Sequence, residues 1–231
     1  MEVKDDILSS RCGVGIHKKE RVLVPQIRAS TMLSMEFVEK NMAEINKAEL
    51  LLVEGYFVIE KFDIVKSLVA KFNEAKKKVA FTLSATFMID FHGEKILEIS
   101  QCADIIFCNE DEAIAFSKST SKNMAEVSAA CHKKLTPREG RIFVVTCGSE
   151  PVVVTQEVNG EIKTITEAVA KLSGDEIVDT NGCGDSFVGG FLSQYIQGED
   201  LNRSAKAGIF ASTVIIKNNG CTWDINTPIK F

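Results

Sequence analysis

The sequence predicts an α/β protein of three layers, with a mainly parallel central sheet between helices on both faces. Three observations carry that expectation. Short apolar runs alternate with longer segments whose apolar residues recur at helical spacing. Most of the runs are apolar throughout rather than alternating, as strands covered on both faces are. No internal repeat, low-complexity tract or long linker interrupts the series. A chain of 231 residues with 45% hydrophobic content can bury one large core, so residues 1–231 read as a single domain.

The elements follow in order. Leu50-Leu51-Leu52-Val53 reads as a buried strand that ends at Glu54-Gly55. Phe62, Ile64, Val65, Leu68, Val69 and Phe72 share one face of a helix, and the cluster Lys76-Lys77-Lys78 suits its negative C-terminal end. Val79 to Leu83 is the next strand, followed by a helix from about Ile89 through Ile99 and a strand from Asp104 to Cys108. Asn109-Glu110-Asp111-Glu112 starts a helix that carries Ala113, Ile114 and Phe116, and a second helix spans Met124 to Leu135. Arg141 to Thr146 reads as the central strand, closed by a turn at Cys147-Gly148-Ser149. Val152–Thr155 and Glu161–Thr166, joined through Asn159-Gly160, predict a hairpin with a type I′ turn, hence an antiparallel edge. Glu176-Ile177-Val178 looks strand-like. A helix from Leu201 to Lys217, almost wholly apolar from Ala207 to Ile216, is expected against the helix that starts near residue 183.

Composition excludes several functions. A net charge of −5 and a pI near 5.4 give no electrostatic footprint for nucleic acid or an anionic membrane. No apolar run reaches the roughly 20 residues of a membrane span. The seven cysteines, at 12, 102, 108, 131, 147, 183 and 221, contain no Cys-x-x-Cys and suit a reducing, cytoplasmic setting. His17, His92 and His132 show no metal-ligand spacing and are expected at surface or boundary positions. Asn202-Arg203-Ser204 matches the glycosylation pattern, which a cytosolic chain never meets.

The segment nearest to a chemistry is Asp179-Thr180-Asn181-Gly182-Cys183-Gly184-Asp185, which runs into Ser186-Phe187-Val188-Gly189-Gly190-Phe191-Leu192. Three small residues at 182–184 leave backbone N–H groups unshielded where an apolar helix begins, an arrangement that suits phosphate. Asp185 at the lip could take a proton from a hydroxyl while those amides hold transition-state charge. The plainer alternative is a capped helix, with Thr180 or Asn181 as its cap. Gly189-Gly190 would let the helix pack closely on the sheet.

Other candidates lie at strand ends, where open parallel sheets bind their ligands. Asn109 and Glu112 stand one helical turn apart, and hard oxygens of that kind suit Mg²⁺ held largely through water. A helix cap with an acidic first turn would use the same two residues. Thr146-Cys147-Gly148 falls beside them. Neither a Gly-x-x-x-x-Gly-Lys-[Ser/Thr] nor a Gly-x-Gly-x-x-Gly occurs.

The segment 179–192 resembles the second signature of the PfkB, or ribokinase-like, carbohydrate and nucleoside kinases, and more narrowly that of the adenosine kinases. Phe81 to Ala85, Cys108 to Ala113, Ser193-Gln194 and the tail Ile215 to Thr222 are similar in the same order, over about residue 10 to the end. The resemblance implies a ribokinase-like fold and transfer of the γ-phosphoryl group of ATP to the 5′-hydroxyl of adenosine, with Mg²⁺ as cofactor. By it Asp185 is the general base; Gly182, Cys183 and Gly184 form the anion hole; Asn109 and Glu112 organise Mg²⁺. Thr146, Gly148, Asp179, Thr180, Asn181 and Asn219 lie around the ATP. Arg21 takes the place of an arginine that braces the transferred phosphate, or is a surface residue beside Lys18 and Lys19.

Two positions depart from that pattern. Cys183 stands where alanine is usual, and Thr82 replaces a common asparagine. The larger difference is length. The resemblance covers the C-terminal two-thirds of a family chain, so the N-terminal strands and the lid, with the groups that hold the ribose, are expected to be missing or incomplete. A sheet ended in this way would expose a strand edge and invite self-association. The alternatives are a sugar kinase with another acceptor and a non-catalytic nucleotide-binding derivative.

Overall fold

The computed structural model describes residues 6–17, 20–224 and 231, and the side chains of residues 16, 17, 20 and 21 lie outside that description. Arg11–His17 (β1) and Glu20–Gln26 (β2) form a two-stranded antiparallel sheet. After a 3₁₀ turn at Ala29–Met32 come two short helices, Met35–Lys40 (α1) and Met42–Ile45 (α2). The body follows as Leu50–Glu54 (β3), Gly55–Glu60 (α3), Phe62–Glu74 (α4), Lys78–Thr82 (β4), Thr86–Cys102 (α5) and Ile105–Asn109 (β5). It continues through Glu110–Ser117 (α6), Met124–Lys133 (α7), Ile142–Cys147 (β6), Glu150–Val158 (β7), Glu161–Glu167 (β8), Cys183–Tyr195 (α8) and Leu201–Ile216 (α9).

The six strands β3 to β8 lie side by side in chain order, with β3 to β6 parallel and β7 and β8 antiparallel. Successive side chains point to opposite faces, which divides the core in two. Val53, Val79, Phe81, Ile106, Cys108, Phe143 and Val145 pack on one face with Val65, Val69 and Phe72 of α4 and with α5, α6 and α7. Ala80, Ile105, Phe107, Ile142, Val144 and Val154 face the other way, toward Phe187, Val188 and Phe191 of α8. This is the expected three-layer α/β/α order.

The junction at Asn159 and Gly160 has positive φ at both residues, 53° and 78°, as a type I′ turn requires. Several details differ from expectation. The helix expected over 89–99 runs from Thr86 to Cys102 and is broken at His92, which leaves helical geometry just before Gly93. Glu176-Ile177-Val178 is not a strand; Glu176 lies in a turn, and Ile177 and Val178 have no ladder partner. His132 is not a boundary residue but is 4% exposed, because α7 turns Val127, Ser128, Cys131 and His132 together onto the sheet. His17 has no described side chain. The hairpin β1–β2 was not anticipated.

The glycine pair also acts differently from the expectation. A Cβ on Gly190 would lie 2.5 Å from the Ala207 carbonyl oxygen, whereas one on Gly189 would meet nothing within 4 Å. The close approach is therefore helix on helix, α8 on α9. Gly208 completes it, with the Phe187 ring 2.8 Å from where its Cβ would be.

The two ends of the sheet do different work. At the amino ends, Asp104 accepts from the Val79 N–H at 2.9 Å and from Arg138 at 3.0 Å. Arg141, 1% exposed, donates to the carbonyls of Thr136 and Gln101, both at 2.7 Å. These charges are satisfied and structural. The carboxyl ends of β3 to β6 carry Glu54, Thr82, Asn109 and Thr146, and there the chain opens into cavities.

Candidate active site

Two cavities meet at the start of α8. One, of about 390 Å³, is apolar in lining and lies between the turn after β6, the segment before α8, and α9; Val169, Leu172, Ile177, Ile209 and Ile216 supply its walls. The other, of about 310 Å³, is more polar and includes Glu54, Thr82, Ser84, Asn109, Glu112 and Asp185. Thr146, Gly184 and Phe187 line both. The wall between them is the loop that leads into α8.

Gly182 caps α8 in the left-handed region, at φ 74° and ψ 3°. Only glycine adopts that conformation without strain, and the Cys221 sulfur fills the space where a side chain would be. In the first helical turn the Cys183 N–H donates to the Thr180 carbonyl at 3.4 Å and the Ser186 N–H to the Gly182 carbonyl at 2.9 Å, while the Gly184 and Asp185 N–H groups have no acceptor within the helix and stand at the positive end of the dipole. Asp185 follows in that first turn, exposed, on the wall of the polar cavity.

Asp179 and Asn181 brace the loop. One Asp179 oxygen accepts from the Asn181 backbone at 2.9 Å and from its side chain at 2.7 Å; the other accepts from the Gly220 N–H at 3.0 Å. Thr180 and Gly148 line the apolar cavity, Gly148 with φ 58°. Asn219 is exposed and lines neither cavity. Arg21 lies in β2 opposite Ile16, with its side chain outside the described residues.

Asn109 and Glu112 form a reciprocal capping box on α6. The Glu112 N–H donates to the Asn109 side chain at 2.8 Å; the Glu112 carboxylate accepts from the Asn109 backbone at 3.1 Å and from its amide at 2.8 Å. Both expected readings meet here, since this cap also lines the cavity that holds Asp185. Burial pushes the Glu112 carboxyl up, the N–H bond from Asn109 opposes that, and the charge of Asp111 adds to it. Among the described residues, no three acidic, histidine or cysteine side chains converge as a metal-binding cluster. The donor set is one of hard oxygens, each Glu112 oxygen keeping a second lone pair, and it fits an ion held through water.

Sequence reasoning missed one group here. Glu54, at the end of β3, lines the polar cavity with Asp185; burial raises its carboxyl, the Ser84 hydroxyl lowers it, and the charges of Asp185 and Glu60 raise it further. Ser84 holds this corner from the left-handed region, at φ 71°, and accepts from the Gly55 N–H at 2.8 Å. No pattern in the sequence announces a serine in that conformation. Leu23 of β2 reaches the same cavity.

The fold defines a class, the ribokinase-like α/β proteins, and here a glycine turn stands at the carboxyl edge of the mainly parallel sheet. The family model described as "pfkB family carbohydrate kinase" matches residues 1–228, and the chain belongs to that family. It is 34% identical over 220 residues to adenosine kinase 1 of Arabidopsis thaliana, covering 92% of this chain and 62% of that protein. To the adenosine kinase of Dictyostelium discoideum it is 32% identical over 234 residues, covering 98% and 67%. Among solved structures, Anopheles gambiae adenosine kinase in complex with P1,P4-di(adenosine-5) tetraphosphate superposes with a TM-score of 0.85 at 29% identity, over 94% of this chain and 65% of that one. Apo Trypanosoma brucei brucei adenosine kinase superposes at 0.83 with 28% identity, over 94% and 67%. The chain thus spans 62% to 67% of the length of these relatives.

Proposed function

We propose that this chain carries the phosphoryl-transfer centre of an adenosine kinase, which converts ATP and adenosine to ADP and AMP. The observation that carries the reading is the position of the Gly182–Asp185 turn, between an apolar cavity and a polar one that holds a carboxylate. The apolar cavity suits a nucleotide base, the polar one an acceptor hydroxyl. The Anopheles gambiae enzyme is known with a ligand that has an adenosine at each end of a tetraphosphate, and two cavities flanking one phosphate turn match that division.

In this reading Asp185 accepts the proton of the adenosine 5′-hydroxyl as its oxygen bonds to the γ-phosphorus, and the bond from that phosphorus to the ADP oxygen breaks. The N–H groups of Gly182, Cys183 and Gly184 face the charge on the equatorial oxygens, where fixed donors act most strongly. Thr146, Gly148 and Thr180 line the ATP side, while Asp179 and Asn181 keep the turn in shape. Asn109 and Glu112 would hold Mg²⁺ through water, and the ion would supply countercharge for the phosphates. Seven cysteines without a disulfide suit a cytoplasmic setting.

A coupled ADP-release assay with adenosine, ribose and fructose tests the reading. Turnover is expected with adenosine, and Asp185→Asn is expected to lower kcat by about 10²–10⁴-fold, the usual contribution of a positioned base, with ATP still bound. Turnover with a free sugar but not adenosine would replace the acceptor. Equal turnover by Asp185→Asn would remove the base.

A further inference from the structure

Cys183 and Cys221 are far apart in sequence and meet at one turn of backbone. The Cys183 sulfur lies 3.9 Å from the carbonyl oxygen of Asp179, and the Cys221 sulfur 3.4 Å from that of Asn181. The Cys221 sulfur occupies the place that a Cβ on Gly182 would take. That puts this sulfur within about 4 Å of the Gly182 Cα and, one trans peptide on, within about 7.5 Å of the Cys183 Cα. Bridged cysteines have Cα atoms about 4.4–6.8 Å apart, so closing a bond requires the Cys221 segment to move toward Cys183.

Cys221 is exposed and lies five residues beyond the end of α9. It is held to the turn by the bond from the Gly220 N–H to Asp179 and by its own thiol, which donates to the Asn181 carbonyl at 3.4 Å. The buried thiols are in a different situation. Burial pushes Cys131 up to about 12 and Cys147 up to about 11, and raises Cys108 well above its ordinary value, so these remain inert thiols.

We propose that Cys183 and Cys221 form an oxidative modification site, which a small-molecule disulfide such as glutathione disulfide closes into an intramolecular bond across the anion-binding turn. The Cys221 thiolate attacks one sulfur of the reagent, forms a mixed disulfide and releases one glutathione. The Cys183 thiolate then attacks the Cys221 sulfur and releases the second. Two protein thiols lose two protons and two electrons, and the reagent takes up both. The new bond ties the tail over Gly182, whose flanking residues Thr180, Cys183 and Gly184 line the apolar cavity. Nucleotide binding is therefore the property it changes. That consequence rests on the kinase reading; the bond itself does not.

The test uses the full chain, treated with glutathione disulfide and then with dithiothreitol. Peptide mapping without reduction is expected to join the peptides that carry Cys183 and Cys221, with the mass loss of two hydrogens. ATP affinity, measured by calorimetry, is expected to fall at least tenfold on oxidation and to return on reduction. Cys183→Ala and Cys221→Ala, each compared with itself before and after treatment, are expected to lose the response, whereas Cys12→Ser keeps it. A mixed disulfide at Cys221 that never resolves to Cys183, or a mapped bond with unchanged ATP affinity, overturns the proposal. A reduced chain that binds no ATP overturns the kinase reading instead, and the mapping still decides whether the bond forms.

Discussion

Acidification from about pH 8 to pH 5 is expected to destabilise the fold through one residue, His132. Its ring is 4% exposed; Nε2 lies 3.0 Å from the Thr155 hydroxyl, and Nδ1 is buried with no partner among the described residues. The Phe143 ring closes the pocket edge-on at 4.8 Å. Burial lowers His132 from 6.5 to about 4; the charge of Glu157 and the bond at Thr155 oppose the shift, and the charge of Arg141 adds to it. The unfolded chain therefore binds the proton more tightly, so stability rises with pH across the window between those two values and falls as pH drops through it. At ~1.4 kcal/mol per pH unit, the loss is about 2 kcal/mol by pH 5 and about 3 kcal/mol below pH 4. Glu54 and Glu112, both raised, act in the opposite sense, since their contribution is present at low pH and lost as pH rises. A difference measurement removes them. Urea unfolding of the parent and of His132→Leu is compared at fixed ionic strength; Thr155 keeps Ser128 as a partner at 2.7 Å in the variant. The gap in unfolding free energy between the two is expected to shift by about 2 kcal/mol from pH 8 to pH 5, in favour of the variant. A gap that stays flat would refute the argument.

Two further outcomes concern packing and association. Gly190→Ala places a methyl 2.5 Å from a backbone oxygen that has no rotamer to escape into, so a loss of about 1–3 kcal/mol is expected, whereas Gly189→Ala, with open space, is neutral or stabilising. Thermal unfolding separates them, and equal stabilities would count against helix-on-helix contact. Leu52, 47% exposed on β3 at the edge of the six-stranded sheet, is expected to promote self-association. Sedimentation velocity of Leu52→Lys then shows less concentration dependence than the parent, and no change would remove this edge as the contact.

The parallel strands were legible because burial on both faces demands continuous apolar runs, and Leu50–Val53, Val79–Leu83 and Ile105–Cys108 have few alternative uses. The Asn159-Gly160 turn was legible for a local reason, since both residues tolerate positive φ. The β1–β2 hairpin was hidden because glycines at 13 and 15 and the charged residues near its tip break the apolar alternation. His132 was misplaced because residue type was weighed above position. It lies one turn after Ser128 on the buried stripe of α7, where the hydroxyls of Ser128 and Thr155 make room for a polar ring. The apolar cavity had no signature, since most of its walls come from an irregular segment and from one side of α9.

The turn at 179–185 is recognisable as a local motif, yet what holds it comes from elsewhere in the chain. The N–H groups of Val178 and Asp179 both donate to the Ile216 carbonyl, at 2.9 and 3.2 Å, and Asp179 then takes the Gly220 N–H. Those contacts exist only if the end of α9 returns to the start of α8. The return is set by Gly190 and Gly208, which let two antiparallel helices approach until backbone meets side chain. Asp179 and Asn181 bond to each other at that junction, and Asp179 also to Gly220. The geometry of the turn at 182–185 is thus a tertiary property, carried by residues 190 and 208 as much as by 182–184. It follows that a change at Gly208 reaches the 182–185 turn without touching it.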